Sequence, residues 1–174
     1  KAIVELTKLK IFNGYSDGTF RPYDKINRAE TMKVVLKSLN YPIIATNYYY
    51  NQPFWDINVN AWYVAFLATG RAYNIIHGYP DGSFKPKNTI NRAELLKLLL
   101  RAANYQNLPS CGTKPYSDTP LKSDTYWYIP YACFARQYML IDTDEKGKFR
   151  PTEKMTRGDV ATLIYRAYVQ GLLN

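Results

Sequence analysis

The string IFNGYSDGTFRPYDKINRAE, from Ile11 to Glu30, returns almost unchanged as IIHGYPDGSFKPKNTINRAE from Ile75 to Glu94. Gly14 and Gly78 are 64 positions apart, and so are Arg28 and Arg92. A third, more divergent copy, LIDTDEKGKFRPTEKMTRGD, runs from Leu140 to Asp159 at a spacing of 65, as Gly82 to Gly147 and Arg92 to Arg157 show. A period of this size means one supersecondary unit used three times. The copies divide the chain at 1–40, 41–104 and 105–174. With 174 residues, 47% of them hydrophobic, three such units suit one compact body with a shared core better than three free domains.

Each unit reads as helix, turn, capped helix. In the first, Ile3, Leu6 and Leu9 fall at helical spacing across Ala2–Lys10, and Asn13-Gly14 offers a stop. The turn GYSDGTF follows, with Asp17-Gly18 supplying residues that tolerate positive φ, and Pro22 ends it. Asn27 can cap the next helix while Glu30, three residues on, reaches back to its amide. Met32, Val35, Leu36 and Leu39 then form an apolar stripe.

The second unit repeats this with Asn91, Glu94 and the stripe Leu95, Leu98, Leu99, Ala102. It adds FWDINVNAWY, Phe54 to Tyr63, ahead of a helix from Val64 to Tyr73. The first copy lacks that opening, which is either lost or lies before Lys1. In the third, Tyr116-Ser117-Asp118 answers Phe54-Trp55-Asp56, and Trp127-Tyr128 answers Trp62-Tyr63. Its turn has decayed: Thr143 stands for the glycine of the Gly-Tyr pair, Asp144 for its tyrosine and Lys146 for its aspartate. Thr156 and Asp159 still permit a capping box, and Val160, Leu163, Ile164 and Ala167 keep the stripe. Two loops join the units. Tyr41 to Pro53, with Tyr48, Tyr49 and Tyr50, reads as an ordered surface loop, and Tyr105 to Pro115 carries Cys111.

The net charge of +9, from 23 Lys and Arg against 14 Asp and Glu, favours anionic partners. It does not choose among nucleic acid, acidic polysaccharide and anionic lipid. The 17 tyrosines offer flat apolar faces with polar edges, suited to sugars, bases or proteins, or equally to capping small repeat cores. Cys111 and Cys133 are the only cysteines, and the pair is expected as a disulfide formed in an oxidising compartment. His77 is the sole histidine, so no metal cluster or cofactor site is expected. No apolar run approaches the roughly 20 residues of a membrane helix, and no membrane insertion is expected. A signal peptide, if the chain is made with one, has been removed or lies upstream.

The order F-x-D, W-Y, G-Y-x-D-G-[ST]-F-x-P, [IT]-[NT]-R-A-E, used three times, resembles the S-layer homology (SLH) domain family. The resemblance covers the chain apart from the missing opening and the two loops. It implies an all-α, mostly helical fold: three tandem repeats in one pseudo-threefold body, with the capped helices as a central bundle and binding grooves between repeats. Members of the family hold surface-layer and other exported proteins on the bacterial cell wall by binding secondary cell-wall polysaccharides, often pyruvylated, or peptidoglycan-linked polymers. The expected partner is therefore an anionic cell-wall polysaccharide and the expected location the cell surface. Other surface-layer subunits are the alternative partner, through self-assembly without glycan binding.

In the family the arginine of the TRAE-like motif contacts the acidic sugar. This carries over to Arg28 and Arg92 in NRAE, and less directly to Arg157 in TRGD. Each follows a helix cap, where unpaired amides and the helix dipole favour an anion and a guanidinium adds a planar fork for a carboxylate. The competing role is a structural pair with a neighbouring acid such as Asp17 or Asp81. That role is the one expected for Arg157, which leaves Arg28 and Arg92 as the ligand-binding pair. Gly14 and Gly78 can admit a sugar to the backbone or simply end a helix. Asp17 and Asp81 shape their turns and can also accept a sugar hydroxyl. Trp62 and Trp127 can stack on a sugar face or anchor the repeat core, and Glu30 and Glu94 are capping residues first.

An enzyme would need a catalytic set. The chain has no GxSxG, metal-ligand cluster or Cys–His pair in a recognisable context, and its carboxylates recur with the repeat rather than standing as one glycosidase pair. A nucleic-acid reading has only charge and tyrosine behind it, with none of the usual modules.

Overall fold

The computed structural model describes residues 1–44, 54–108, 111–120 and 126–173; the Tyr48–Tyr50 stretch lies outside the described residues. Among the described residues six helices make up the regular structure: α1 (Ala2–Lys8), α2 (Arg28–Ser38), α3 (Val64–Ala72), α4 (Arg92–Ala102), α5 (Ile129–Gln137) and α6 (Arg157–Val169). Among the described residues β-structure is confined to three isolated antiparallel bridges, Lys25 with Thr156, Asn27 with Thr89 and Asn91 with Lys154.

The starts of α2, α4 and α6 follow from their capping residues. Asn27 accepts from the Glu30 amide at 2.8 Å while the Glu30 carboxylate accepts from the Asn27 amide at 3.0 Å. Asn91 with Glu94 and Thr156 with Asp159 make the same reciprocal pair. Each box satisfies donors that a helix start leaves orphaned.

The helix ends follow a rule that the motif reading missed. The residue two beyond the last helical one adopts a left-handed conformation in all six: Lys10, Asn40, Asn74, Asn104, Met139 and Gly171. The amide of the following apolar residue then returns to a carbonyl five positions earlier, as Ile11 to Leu6, Tyr41 to Leu36, Ile75 to Gly70, Tyr105 to Leu100, Leu140 to Ala135 and Leu172 to Ala167. This is the Schellman closure with its buried apolar partner. In α1 it operates at Lys10, so the helix stops at Lys8 rather than running to the expected Asn13-Gly14 stop.

The three capped helices form the centre: α2 packs on α4 and on α6. Each outer helix lies on the capped helix of the preceding unit, α3 on α2 and α5 on α4, and α1 closes the ring by packing on α6. The central helices are thus covered on two sides, and burial extends past the expected stripes to Val34, Leu96, Leu100 and Ala161. The core is continuous across all three units, from Leu6 and Phe12 through Ile90 and Leu95 to Phe149 and Ile164.

The segments before the capped helices meet at the pseudo-threefold axis. The Ile26 amide donates to the Met155 carbonyl at 3.3 Å, Met155 to Ile90 at 3.0 Å, and Ile90 back to Ile26 at 3.2 Å, a closed cycle of three hydrogen bonds. Around it, the first two amides of each capped helix are taken by the next unit. Arg28 and Ala29 donate to Asn88 and Pro86, Arg92 and Ala93 to Glu153 and Pro151, and Arg157 and Gly158 to Asp24 and Pro22. Cys111 and Cys133 are joined in a disulfide with Cα atoms 5.7 Å apart, tying the loop after repeat two to α5.

Two measurements check this architecture. Ile26 is fully buried, and Ile26→Ala is expected to cost about 2–5 kcal/mol, a fall of about 5–15 °C in melting temperature. Because every unit borrows its neighbours' surfaces, circular dichroism should show one cooperative transition in both proteins; stepwise melting of separate repeats would contradict the shared core. Reducing the disulfide, which spans 22 positions, should lower stability by about 3 kcal/mol in denaturant titrations.

Candidate functional site

The turns come first, because they place everything else. In repeat one the Asp17 carboxylate accepts from the Thr19 amide at 2.9 Å and hydroxyl at 2.6 Å, and pairs with Arg21. In repeat two Asp81 does the same with Ser83, and Lys85 stands 3.5 Å away. These bonds, the Thr19 hydroxyl first, hold the Asp17 carboxyl far below the usual carboxylate range. Both aspartates shape their turns and neither meets Arg28, Arg92 or Arg157. In repeat three Asp144 takes over, accepting from the Lys146 and Lys148 amides and pairing with Arg150.

Gly78 has no substitute in its place. Its φ is +79°, and a Cβ would lie 2.6 Å from the Ser83 carbonyl oxygen and 2.5 Å from the Phe54 ring. Gly14 is tight against the Thr19 carbonyl, 2.9 Å from where a Cβ would sit. The aspartates of the F-x-D motif also prove to be turn-holders, a role the motif reading did not give them. Asp56 accepts from the Phe84 and Lys85 amides at 2.8 and 2.7 Å, and Asp118 from Phe149 and Arg150 at 2.6 and 2.8 Å.

Each motif arginine leaves its own unit and enters the turn of the next. Arg28 donates through Nε to the Phe84 carbonyl at 2.8 Å, Arg92 to the Phe149 carbonyl, and Arg157 through Nε to the Phe20 carbonyl at 2.9 Å. Arg28 therefore belongs with the intact repeat-two turn, Arg157 with the intact repeat-one turn, and Arg92 with the decayed repeat-three turn. The acids weighed as structural partners of these arginines, Asp17 and Asp81, are paired with Arg21 and Lys85 instead. The helix amides expected to attract an anion are likewise closed, since the neighbouring unit's carbonyls and the caps already occupy them.

Three inter-repeat clefts result, and they differ in charge. The second, of about 450 Å³, has an apolar floor including Ile75, Ile90 and Leu98, with Arg28, Glu94, Lys97 and Trp127 around it. The Arg28 guanidinium sits over the Tyr79 and Phe84 rings at 4.8 and 4.6 Å, with Glu94 3.4 Å from one terminal nitrogen. Glu94 is shared, because it also accepts from the Tyr79 hydroxyl at 2.8 Å. Lys97 lies 4.9 Å over the Trp127 ring, and the combined effect of burial and Arg101 lowers its pKa.

The first cleft repeats this plan. Arg157, only 8% exposed, adds a bond from its terminal nitrogen to the Asn13 carbonyl at 2.8 Å and sits over the Tyr15 and Phe20 rings. Lys33 lies 5.2 Å over Trp62. Trp127 lines the second cleft and Trp62 holds the matching place against Lys33; both are half-exposed, 51% and 53% accessible, rather than core anchors.

The third cleft, about 130 Å³, is neutralised from within. Arg92 pairs with Glu153 at 2.7 Å and Arg166 with Asp142 at 2.7 Å. Thr162 lines it where Lys97 lines the second. Among the described residues no group of three or more His, Cys, Asp or Glu could hold a metal ion, and no helix is long and apolar enough to cross a membrane.

Comparison with known proteins agrees with this three-unit plan. The chain is 31% identical over 155 residues, 88% of its length, to a cellulosome-anchoring protein of Acetivibrio thermocellus, spanning 34% of that protein. It is 28% identical to cell surface glycoprotein 1 of the same organism over 92% of its own length. It is also 28% identical to a surface layer protein of Brevibacillus choshinensis over 61% of its length. The chain spans about a tenth or less of the latter two proteins (7% and 10%). The profile of the S-layer homology domain matches residues 1–32, 53–96 and 115–161, one match per structural unit, and the chain belongs to the S-layer homology domain family.

Proposed function

We propose that this chain is a non-catalytic cell-wall anchoring module of the cell surface. In this reading an acidic wall polysaccharide is gripped in the first and second clefts, with Arg157 and Arg28 meeting a carboxylate such as a pyruvyl substituent. The observation that carries the proposal is the contrast in charge between clefts built on one plan. Cations dominate the first two, Arg157 with Lys33 and Arg28 with Lys97, and each sets a lysine against a half-exposed tryptophan. The third spends its arginines on Asp142 and Glu153. An anion entering it would displace an existing partner. The tryptophans offer a face for a sugar ring. The names of the relatives, a surface layer protein and a cellulosome-anchoring protein, support the anchoring role.

The proposal exchanges Arg92 for Arg157 as partner to Arg28. A charge-assisted hydrogen bond contributes about 1.5–3 kcal/mol, so Arg28→Gln should weaken binding of an acidic wall glycan roughly ten- to a hundredfold by calorimetric titration. Arg157→Lys, which keeps the charge and loses the fork, should also weaken it, and the double variant should lose more than either because a long polymer engages both clefts. Arg92→Gln should lower the melting temperature, since Phe149 and Glu153 lose their partner, while glycan affinity stays within about twofold, a change of roughly 0.4 kcal/mol. Unchanged affinity in a folded Arg28→Gln, Arg157→Lys double variant would remove the proposal and favour self-association of surface subunits, which sedimentation would then detect.

A further inference from the structure

The second cleft has a cluster that its two counterparts lack. At the start of its turn stands the chain's only histidine, between cations from two helices. Arg101 of α4 places a terminal nitrogen 2.6 Å from His77 Nε2, and Arg71 of α3 places one 3.4 Å from His77 Nδ1. Lys97, one helical turn before Arg101, lines the same cleft. A neutral imidazole has one lone pair and one N–H, so it can accept from only one of the two guanidinium groups. The nearer, Arg101, takes the lone pair, and the Nδ1 proton then faces a second cation.

Among the described residues no carboxylate balances the group. None of the ion pairs among the described residues includes Arg71, Lys97 or Arg101. The one carboxylate lining the cleft, Glu94, is engaged by Arg28 and by the Tyr79 hydroxyl. The same Arg101 nitrogen also donates to the Asn74 carbonyl at 2.7 Å, and the other titratable group near it is the Tyr131 phenol of α5, which burial keeps protonated and neutral. At the matching positions the first repeat has Asn13 and the third Asp142 in place of His77, and Asp142 quenches Arg166 directly. Two guanidinium groups, an ammonium and an imidazole are gathered at the edge of the second cleft, with His77, Lys97 and Arg101 lining it and the exposed Arg71 beside them.

We infer that this group is a second anion subsite, suited to a doubly charged oxyanion such as a phosphate group, beside the carboxylate position at Arg28. For its natural ligand the inference rests on the glycan reading, the polymer then carrying a phosphate as well as a carboxylate. The charge count sets the class: Arg28, already half-compensated by Glu94, matches a single negative charge, whereas the cluster has three with no ion-pair partner among the described residues. Binding is linked to protonation. Burial first, then Arg101, Arg71 and Lys97, holds His77 below its ordinary 6.5. A bound dianion offsets those cations and stabilises the imidazolium, so binding takes up a proton and affinity rises as pH falls through the histidine range.

Titration of the intact chain with sulfate and with inorganic phosphate, followed by the His77 ring resonances and by calorimetry, tests this. Sulfate keeps both charges between about pH 5.5 and pH 7.5, so its pH dependence reports the protein alone. Saturable sulfate binding is expected, several-fold tighter at the lower pH. Lys97→Gln should weaken it about tenfold, and His77→Gln should weaken it and abolish its pH dependence. Lys148→Gln, on the third repeat, should leave it unchanged. An equal loss in Lys148→Gln, or acetate binding that Lys97→Gln and His77→Gln weaken as much as they weaken sulfate binding, would show attraction to net charge only and overturn the inference. So would absence of sulfate binding in a chain that still binds acidic glycan through Arg28, an outcome that leaves the glycan reading standing. Sulfate binding that depends on Lys97 and His77 without any glycan binding would sustain the subsite and sink that reading.

Discussion

The fold depends on a backbone exchange around its axis. No unit finishes its own capped helix: the first two amides of each are accepted by the turn that follows in the next unit, and the third unit returns to the first through Asp24 and Pro22. An unmade buried hydrogen bond costs about 1–3 kcal/mol, so a lone unit would carry this penalty at both its helix start and its donor turn. The ring of Ile26, Ile90 and Met155 adds a cycle that no two units can close. Closure also explains why α1, the first helix in the chain, lies on α6, the last.

The same exchange makes the clefts. Because an arginine follows each cap, it is carried with the helix start into the neighbouring turn, and a cleft assembles from the arginine of one unit, the turn of the next and, for the first and second, the tryptophan that opens the unit after that. A change in one turn is therefore felt by the preceding unit's arginine. In the repeat-three turn Arg92 reaches the Phe149 carbonyl through a terminal nitrogen and pairs with Glu153, leaving its Nε buried without a partner, while Arg157, in the unit with the weakest motif, inherits the intact first turn. The Tyr116 hydroxyl of the same third unit is also buried without a partner, and burial pushes its pKa up to about 12. In the third cleft polar groups remain without the open cationic surface that would use them.

Much of this was legible in the amino-acid order, and the part that was not has a physical cause. The capping boxes at Asn27, Asn91 and Thr156 are local, set by residues three apart, and they appear as read. The apolar stripes were visible but too narrow, since helical spacing reports one face and the central helices are covered on two. The closure that ends the helices was missed because its left-handed residue is Asn at three of the six ends and Lys10 or Met139 at two more, with glycine at Gly171 alone; the surviving signal is the apolar residue immediately after. The assignment of arginine to cleft was illegible in principle. A repeat motif records which residues recur, and a one-unit offset leaves that record unchanged.

The burial of the arginines bears directly on whether they can serve a ligand. Arg157 is 8% exposed and spends two nitrogens on carbonyls, and Arg28 spends one on a carbonyl and shares another with Glu94. A guanidinium has five N–H donors, so these bonds fix its plane and still leave donors over. Its charge is not cancelled by carbonyls, which carry only dipoles, and the aromatic rings beneath it exclude water. A fixed, dry and partly uncommitted fork needs little reorganisation to meet a carboxylate, whereas Arg92 against Glu153 has its charge answered already. Under the proposed function the structural and ligand-binding roles weighed against each other for these residues become one role: the clamp that joins two units would orient the group offered to the ligand.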